Sequence, residues 1–362
     1  MRFLVGAGNS IYTIFELDGT IQDEVCFRHP SGKNLKCLST TEDRKKLLAG
    51  FDDGGIFSTE DRGGSWNDIT GSLPLTTVSA CAMDPEDPKR IYVGTNPPAL
   101  FLTEDGGGSW IELTAIRQHP NRNVWSAPRG NPQLRTIAIS PSDSQMIFVG
   151  IEVGDLLRSD DGGENWRVLE GVCHDIHRVV LSASRPGVIF LFTGEDTPPY
   201  QGENGLGFFL SENNGRNWRT MNEALITGKR VYCEDAVALV ASEPEVLFMA
   251  IADGIPPYWK GPSNDSSYFV APARSKREKG ADVSLHRSQD GGLTWELLSG
   301  RGGLPGSLFD AVWGLDARKQ GDSIVVSFGT TAGEVWRSGD GGKSWTTLER
   351  RFPPVSHLAL LE

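Results

Sequence analysis

Thr103-Glu-Asp105-Gly-Gly107-Gly-Ser109-Trp110 is a stretch that returns five more times in this chain without a gap. The other copies are Thr59-Glu-Asp61-Arg-Gly63-Gly-Ser65-Trp66, Ser159-Asp-Asp161-Gly-Gly163-Glu-Asn165-Trp166, Ser211-Glu-Asn213-Asn-Gly215-Arg-Asn217-Trp218, Ser288-Gln-Asp290-Gly-Gly292-Leu-Thr294-Trp295 and Ser338-Gly-Asp340-Gly-Gly342-Lys-Ser344-Trp345. Successive tryptophans lie 44, 56, 52, 77 and 50 residues apart. A recurrence of this length marks a repeat architecture. Each copy reads as a hairpin turn. The Asp or Asn oxygen can fold back onto turn N–H groups, and the Gly two residues on can take positive φ without steric cost. The Trp then buries a large ring between neighbouring sheets, worth about 4–6 kcal/mol as an upper bound. Asp61, Asp105, Asp161, Asn213, Asp290 and Asp340 are therefore structural.

Working outward, the same strand order surrounds each turn. In the third repeat, Leu134–Ile139 reads as a first strand, Met146–Gly150 as a second, Asp155–Arg158 as a third and Trp166–Leu169 as a fourth. Four antiparallel strands in about 50 residues make a propeller blade. Six turns give six blades over about 33–350. The N-terminal strands Arg2–Val5, Ser10–Phe15 and Thr20–Val25 lack an inner partner, and the tail Val355–Leu361 supplies one. Residues 1–27 and 354–362 then form a seventh blade, closing the ring and hiding its free edges. The fold expected is all-β, a seven-bladed β-propeller spanning 1–362 as one domain.

Composition narrows the function. The 362 residues carry 47 acidic and 35 basic side chains, a net charge of −12, which disfavours nucleic acid and anionic membranes as partners. The five cysteines, Cys26, Cys37, Cys81, Cys173 and Cys233, show neither zinc-ligand spacing nor a dense disulfide pattern. No signal-like or membrane-spanning apolar run is present, so a cytoplasmic protein is expected.

The turn motif resembles the Asp box, or BNR repeat, of sialidases, sortilin-type propellers, xyloglucan-cleaving glycosidases and a photosystem II assembly factor. The chain as a whole resembles bacterial single-domain BNR-repeat proteins of the sialidase-like, glycosyl hydrolase-labelled kind. That resemblance implies the fold strongly and the function weakly. It also implies turns on the rim away from the binding funnel. Phe27-Arg28-His29-Pro30 matches the sialidase F/Y-R-I-P motif imperfectly, no arginine triad is evident, and sialidase propellers have six blades. Sialidase activity is disfavoured, as is a cleft between two propellers.

Strand alternation puts the Asp turns on the bottom face and three long insertions, 115–133, 194–205 and 252–281, on the top. Long loops confined to one face suggest a binding wall. Residues with chemistry at the channel mouth are expected to be Arg135, Glu152, Asp175, His177, Glu195, Asp235, Asp310 and His357 as catalytic candidates. Trp125, Trp313, Asp253, Tyr258 and Trp259 are the ligand-binding candidates. Converging carboxylates could do general acid–base work. His177, His357 and Asp175 could hold a divalent metal in the central channel. The bland alternative is a polar, water-filled channel whose acids are merely solvated. Two functions follow: binding of a small polar molecule or glycan in the top funnel, with glycosidase-like or other hydrolase or lyase chemistry, or a non-catalytic scaffold whose top loops hold a protein partner.

Overall fold

The computed structural model describes residues 2–17, 19–127, 131–172, 174–194, 207–221, 232–252 and 280–362, with side chains in 232–252 from Ala236 onward. The strands form seven four-stranded antiparallel sheets, a seven-bladed β-propeller. The described residues include no α-helix, and none of their helices is long and apolar enough to cross a membrane. The inner strands of blades 1 to 6 are Leu35–Thr40, Val78–Met83, Leu134–Ser140, Ile176–Leu181, Tyr232–Val240 and Val312–Gln320. In blade 7 the inner strand Val355–Leu360 pairs with Arg2–Ala7, and Ser10–Leu17 and Thr20–Arg28 complete the sheet. Both chain ends thus build one blade, as the strand count required.

Each of the six turns is a hydrogen-bonded unit. In the first, the Thr59 hydroxyl donates to Asp61 at 2.7 Å and accepts the Gly63 N–H at 3.0 Å. Asp61 accepts the Ser65 N–H and hydroxyl, both at 2.8 Å. The motif glycines all have positive φ, from +77° at Gly215 to +106° at Gly107. The fourth strands are shorter than expected, two residues each in blades 1 to 6, as in Arg167–Val168 and Thr346–Thr347. The reason is that the Trp belongs to the turn. The indole N–H of Trp166, Trp295 and Trp345 donates to its own motif glycine carbonyl at 3.0–3.1 Å. Such short outer strands also leave little exposed edge.

Blades meet through a size rule. The inner strands of blades 1, 2, 3, 4, 6 and 7 open with a buried aliphatic: Leu35, Val78, Leu134, Ile176, Val312 and Val355, respectively. At five junctions it sits over a glycine in the second strand of the preceding blade: Gly6, Gly50, Gly94, Gly150 or Gly329. A Cβ on any of these would stand 2.2–2.4 Å from the incoming side chain. These glycines are needed for space, not for φ.

At the bottom of the ring, polar ties cross between blades. Arg44, after the inner strand of blade 1, makes a two-pronged pair with Asp316 of blade 6 at 2.7 and 3.2 Å. Asp316 also accepts the N–H of Leu360 in the closing strand at 2.8 Å. One carboxylate therefore joins blades 6, 7 and 1. Glu245, fully buried, likewise accepts from Ser182, Ser184 and Arg185, linking blades 4 and 5.

Two outcomes follow. Gly94→Ala should cost about 1–3 kcal/mol in urea unfolding, because neither Leu134 nor the strand can retreat cheaply; an unchanged midpoint would refute the size rule. Hydrogen bonds from Thr59 and Ser65 hold the Asp61 carboxyl down at about 2, against 3.8 ordinarily. A depressed folded value means the folded state binds fewer protons in that window, so this stabilisation is complete above about pH 4 and drains away as pH falls toward 2. Asp61→Asn, the choice already made at Asn213, should shrink the drop in stability between about pH 5 and pH 2.5, measured by urea titration at each pH.

Candidate functional site

The inner strands enclose a channel of about 850 Å³. Its upper mouth is built by one device repeated around the ring. In every blade the pairing of inner and second strands slips near the start of the inner strand, and in blades 1, 2, 3, 4, 6 and 7 it slips by one residue just after the opening aliphatic. The extra residue is Lys36, Ser79, Arg135, His177, Trp313 and Ser356 in blades 1, 2, 3, 4, 6 and 7, respectively. In blade 5 the slip covers Glu234–Ala236. A β-bulge leaves its extra residue out of the ladder and re-aims the side chain, and all six named residues line the channel. They form a collar.

The expected site residues fall into three groups. Arg135, Glu152, Asp175, His177, Trp313 and His357 line the channel. Asp175 and His177 are 7% and 2% exposed, with Oδ1 and Nε2 3.4 Å apart. Gly194 makes room for them: a Cβ there would lie 2.2 Å from the Asp175 carboxylate and 2.5 Å from His177 Nε2. Glu152 accepts from Arg135 at 3.0 Å and from Gln133 at 2.7 Å, which holds it as an ion-paired carboxylate. His357 Nδ1 lies 3.0 Å from the Ser356 hydroxyl.

The second group needs correction. Trp125 is no wall for a ligand; it is 5% exposed, stacks on His119 and donates its indole N–H to Asp155 at 2.7 Å. The described part of the first insertion is thereby packed onto blade 3 rather than held open. Asp310 does not line the channel. Burial, with the Glu334 carboxylate nearby, raises its pKa. The proposed metal set is also not assembled. His357 stands on blade 7 and Asp175 and His177 on blade 4, three blades apart, and among the described residues no group of three or more His, Cys, Asp or Glu could hold a metal. In the third group, Glu195, Asp253, Tyr258 and Trp259 lie outside the described residues, and of Asp235 only the strand position is described.

Sequence reasoning missed Lys36, Arg178, and the pair Cys37 and Cys81, all on the channel wall. Arg178 is exposed to the channel and pairs with no described residue. The missing signal was the bulge: strict alternation points Lys36 and Ser79 sideways, whereas the residue after the opening aliphatic forms the collar in blades 1, 2, 3, 4, 6 and 7.

No protein-family model matches the chain, and no curated protein matches it in sequence. Solved structures share its fold. An ancestral GH74 enzyme superposes with a TM-score of 0.59 at 15% identity, over 96% of this chain and 39% of its own. The GH74 xyloglucanase from Xanthomonas campestris gives 0.62 at 15% identity, over 95% of this chain and 54% of its own. YCF48 bound to D1 peptide gives 0.56 at 18% identity, over 89% of this chain and 84% of its own. The chain thus spans roughly half or less of the two enzymes' length.

The channel's charges should separate by role on substitution. Arg178→Ala should leave urea stability within about 0.5 kcal/mol. Arg135→Ala, at a partly exposed pair, should cost about 1 kcal/mol. Asp316→Ala should cost about 3–5 kcal/mol, since it strands Arg44 and also removes the acceptor of the Leu360 and Ala317 N–H groups. Equal losses at all three positions would mean that the upper mouth is as structural as the bottom.

Proposed function

We propose that the collar binds a small polar molecule of the sugar type at the upper mouth of the channel. One observation carries this reading: among the described residues, six bulges at one level turn lysine, serine, arginine, histidine and tryptophan side chains into one opening, where a merely structural ring would repeat one solution. Trp313 offers a ring face for an apolar patch of a pyranose, while Lys36, Arg178 and the Arg135–Glu152 pair supply donors and acceptors for hydroxyls. Ser79 is already committed, its hydroxyl donating to the Leu134 carbonyl at 2.8 Å. Should the bound molecule be cleaved, the proton would fall to Asp175 and His177, the carboxylate orienting the imidazole as general base. The likeness to GH74 enzymes favours a glycan among polar ligands.

A second reading, a peptide-holding platform, draws on one finding. The chain matches YCF48, solved with D1 peptide, over most of both molecules. Its surface would be the top loops rather than the collar.

The test is a thermal-shift and calorimetric screen of mono- and oligosaccharides. A true ligand at about 100 times its Kd adds about 2.7 kcal/mol to stability. Trp313→Ala and Arg178→Glu should each abolish that gain while the unliganded protein stays folded. Deleting 253–279 should leave sugar affinity unchanged under the first reading. Under the second, that deletion abolishes peptide capture, and no sugar shifts the melting curve.

A further inference from the structure

Cys37 and Cys81 stand on the inner strands of blades 1 and 2, 44 residues apart in sequence, the interval that separates Trp66 from Trp110. Their sulfurs are 3.4 Å apart. Both residues line the channel, Cys37 being 8% exposed and Cys81 half-buried. The pair lies just below the collar: Cys37 follows Lys36, and Cys81 lies two residues beyond Ser79.

We propose that Cys37 and Cys81 form a thiol–disulfide site in the channel wall, which takes a small organic disulfide as its oxidant. Closure from 3.4 Å to a bonded distance of about 2.05 Å asks each sulfur to move well under 1 Å. The exchange balances in two steps. One cysteine, as thiolate, attacks a sulfur of the small disulfide, forming a mixed disulfide and expelling one thiolate, which takes up a proton. The second cysteine gives its proton to solvent and attacks the first cysteine's sulfur, forming the intrachain bond and expelling the second small thiol. Two cysteine thiols are oxidised, and one small disulfide is reduced to two thiols.

The surroundings set the rate. The hydrogen bond with Cys37, and then burial, hold the Cys81 thiol well above its ordinary range. Only the thiolate reacts, so exchange accelerates with rising pH. Bonded, the pair would tie blades 1 and 2 together beneath Lys36 and Ser79. The inference is independent of what the collar binds.

The experiment treats the native, full-length protein with an excess of oxidised 2-mercaptoethanol at about pH 8.5, followed by intact-mass measurement and peptide mapping. The expected product has lost two hydrogens and retains no adduct at this pair, with peptides carrying Cys37 and Cys81 cross-linked. Dithiothreitol should restore the starting mass, and the oxidised form should unfold at higher urea. Cys37→Ser and Cys81→Ser should each stop at a single stable adduct on the remaining cysteine. Adducts persisting on both cysteines of the wild type, or a pair still reduced after it has reacted fully in urea, would overturn the proposal. A cross-link to Cys26, Cys173 or Cys233 instead would do the same.

Discussion

The fit of an aliphatic side chain over a bare glycine backbone, repeated at the junctions Gly6–Leu35, Gly50–Val78, Gly94–Leu134, Gly150–Ile176 and Gly329–Val355, sets the spacing of the ring. Sheets twist, and a twisted sheet can be stacked on its neighbour at more than one distance. Close packing resolves that freedom, because an interior tolerates neither voids nor overlap. With glycine on one side, the inner strands approach as nearly as backbone allows. The channel then keeps a width that its polar lining can share.

The bulges are a consequence of the same approach. An aliphatic that must point sideways into the preceding blade cannot be followed, in strict alternation, by a residue pointing up the channel. Inserting one residue resolves the conflict and releases a side chain toward the mouth. The two ends of the channel divide the labour that results. At the bottom, Asp316 is saturated by Arg44, by Leu360 and by the N–H of Ala317 at 2.9 Å. At the top, Arg178 carries no described partner and Lys36 reaches Asp52 only at 3.8 Å. Charges that hold the ring are spent below, and charges with capacity to spare lie above.

The architecture was legible because the turns encode themselves locally. Hydroxyl, carboxylate, glycine and indole lie within eight residues, so their hydrogen bonds need no knowledge of the rest of the chain. Glu152, Arg135, Asp175 and His177 could be placed on the channel for a related reason, since the alternation of strands assigns a height to each residue. Trp125 failed because its neighbours lie in other parts of the chain: His119 comes before it, Asp155 thirty residues later, and the pair buries an indole that would otherwise be free to meet a ligand. Asp310 failed because the connection before Val312 follows blade 5, Leu308 pairing with Val283 and Phe309 accepting the Ala281 N–H, so that Asp310 is not among the channel-lining residues. The cysteine pair was invisible to spacing rules that look for C-x-x-C, though the repeat interval carried it.

The turns and the collar stand at opposite ends of the blades, and this decides what each can report. A motif that recurs six times nearly unchanged answers to one folding requirement, so it identifies the architecture and is silent on the ligand. The collar has the reverse character. Its backbone repeats a one-residue register slip in six of the seven blades, while the side chains there run through lysine, serine, arginine, histidine, tryptophan and serine. A fixed frame with varied occupants is how a symmetric ring can present an asymmetric surface. Symmetry of the blades cannot discriminate among small molecules, but side chains of five kinds at one opening can, because donors, acceptors and a ring face then stand at separate bearings. On the proposed reading, this ring's selectivity rests on these positions and not on its turns.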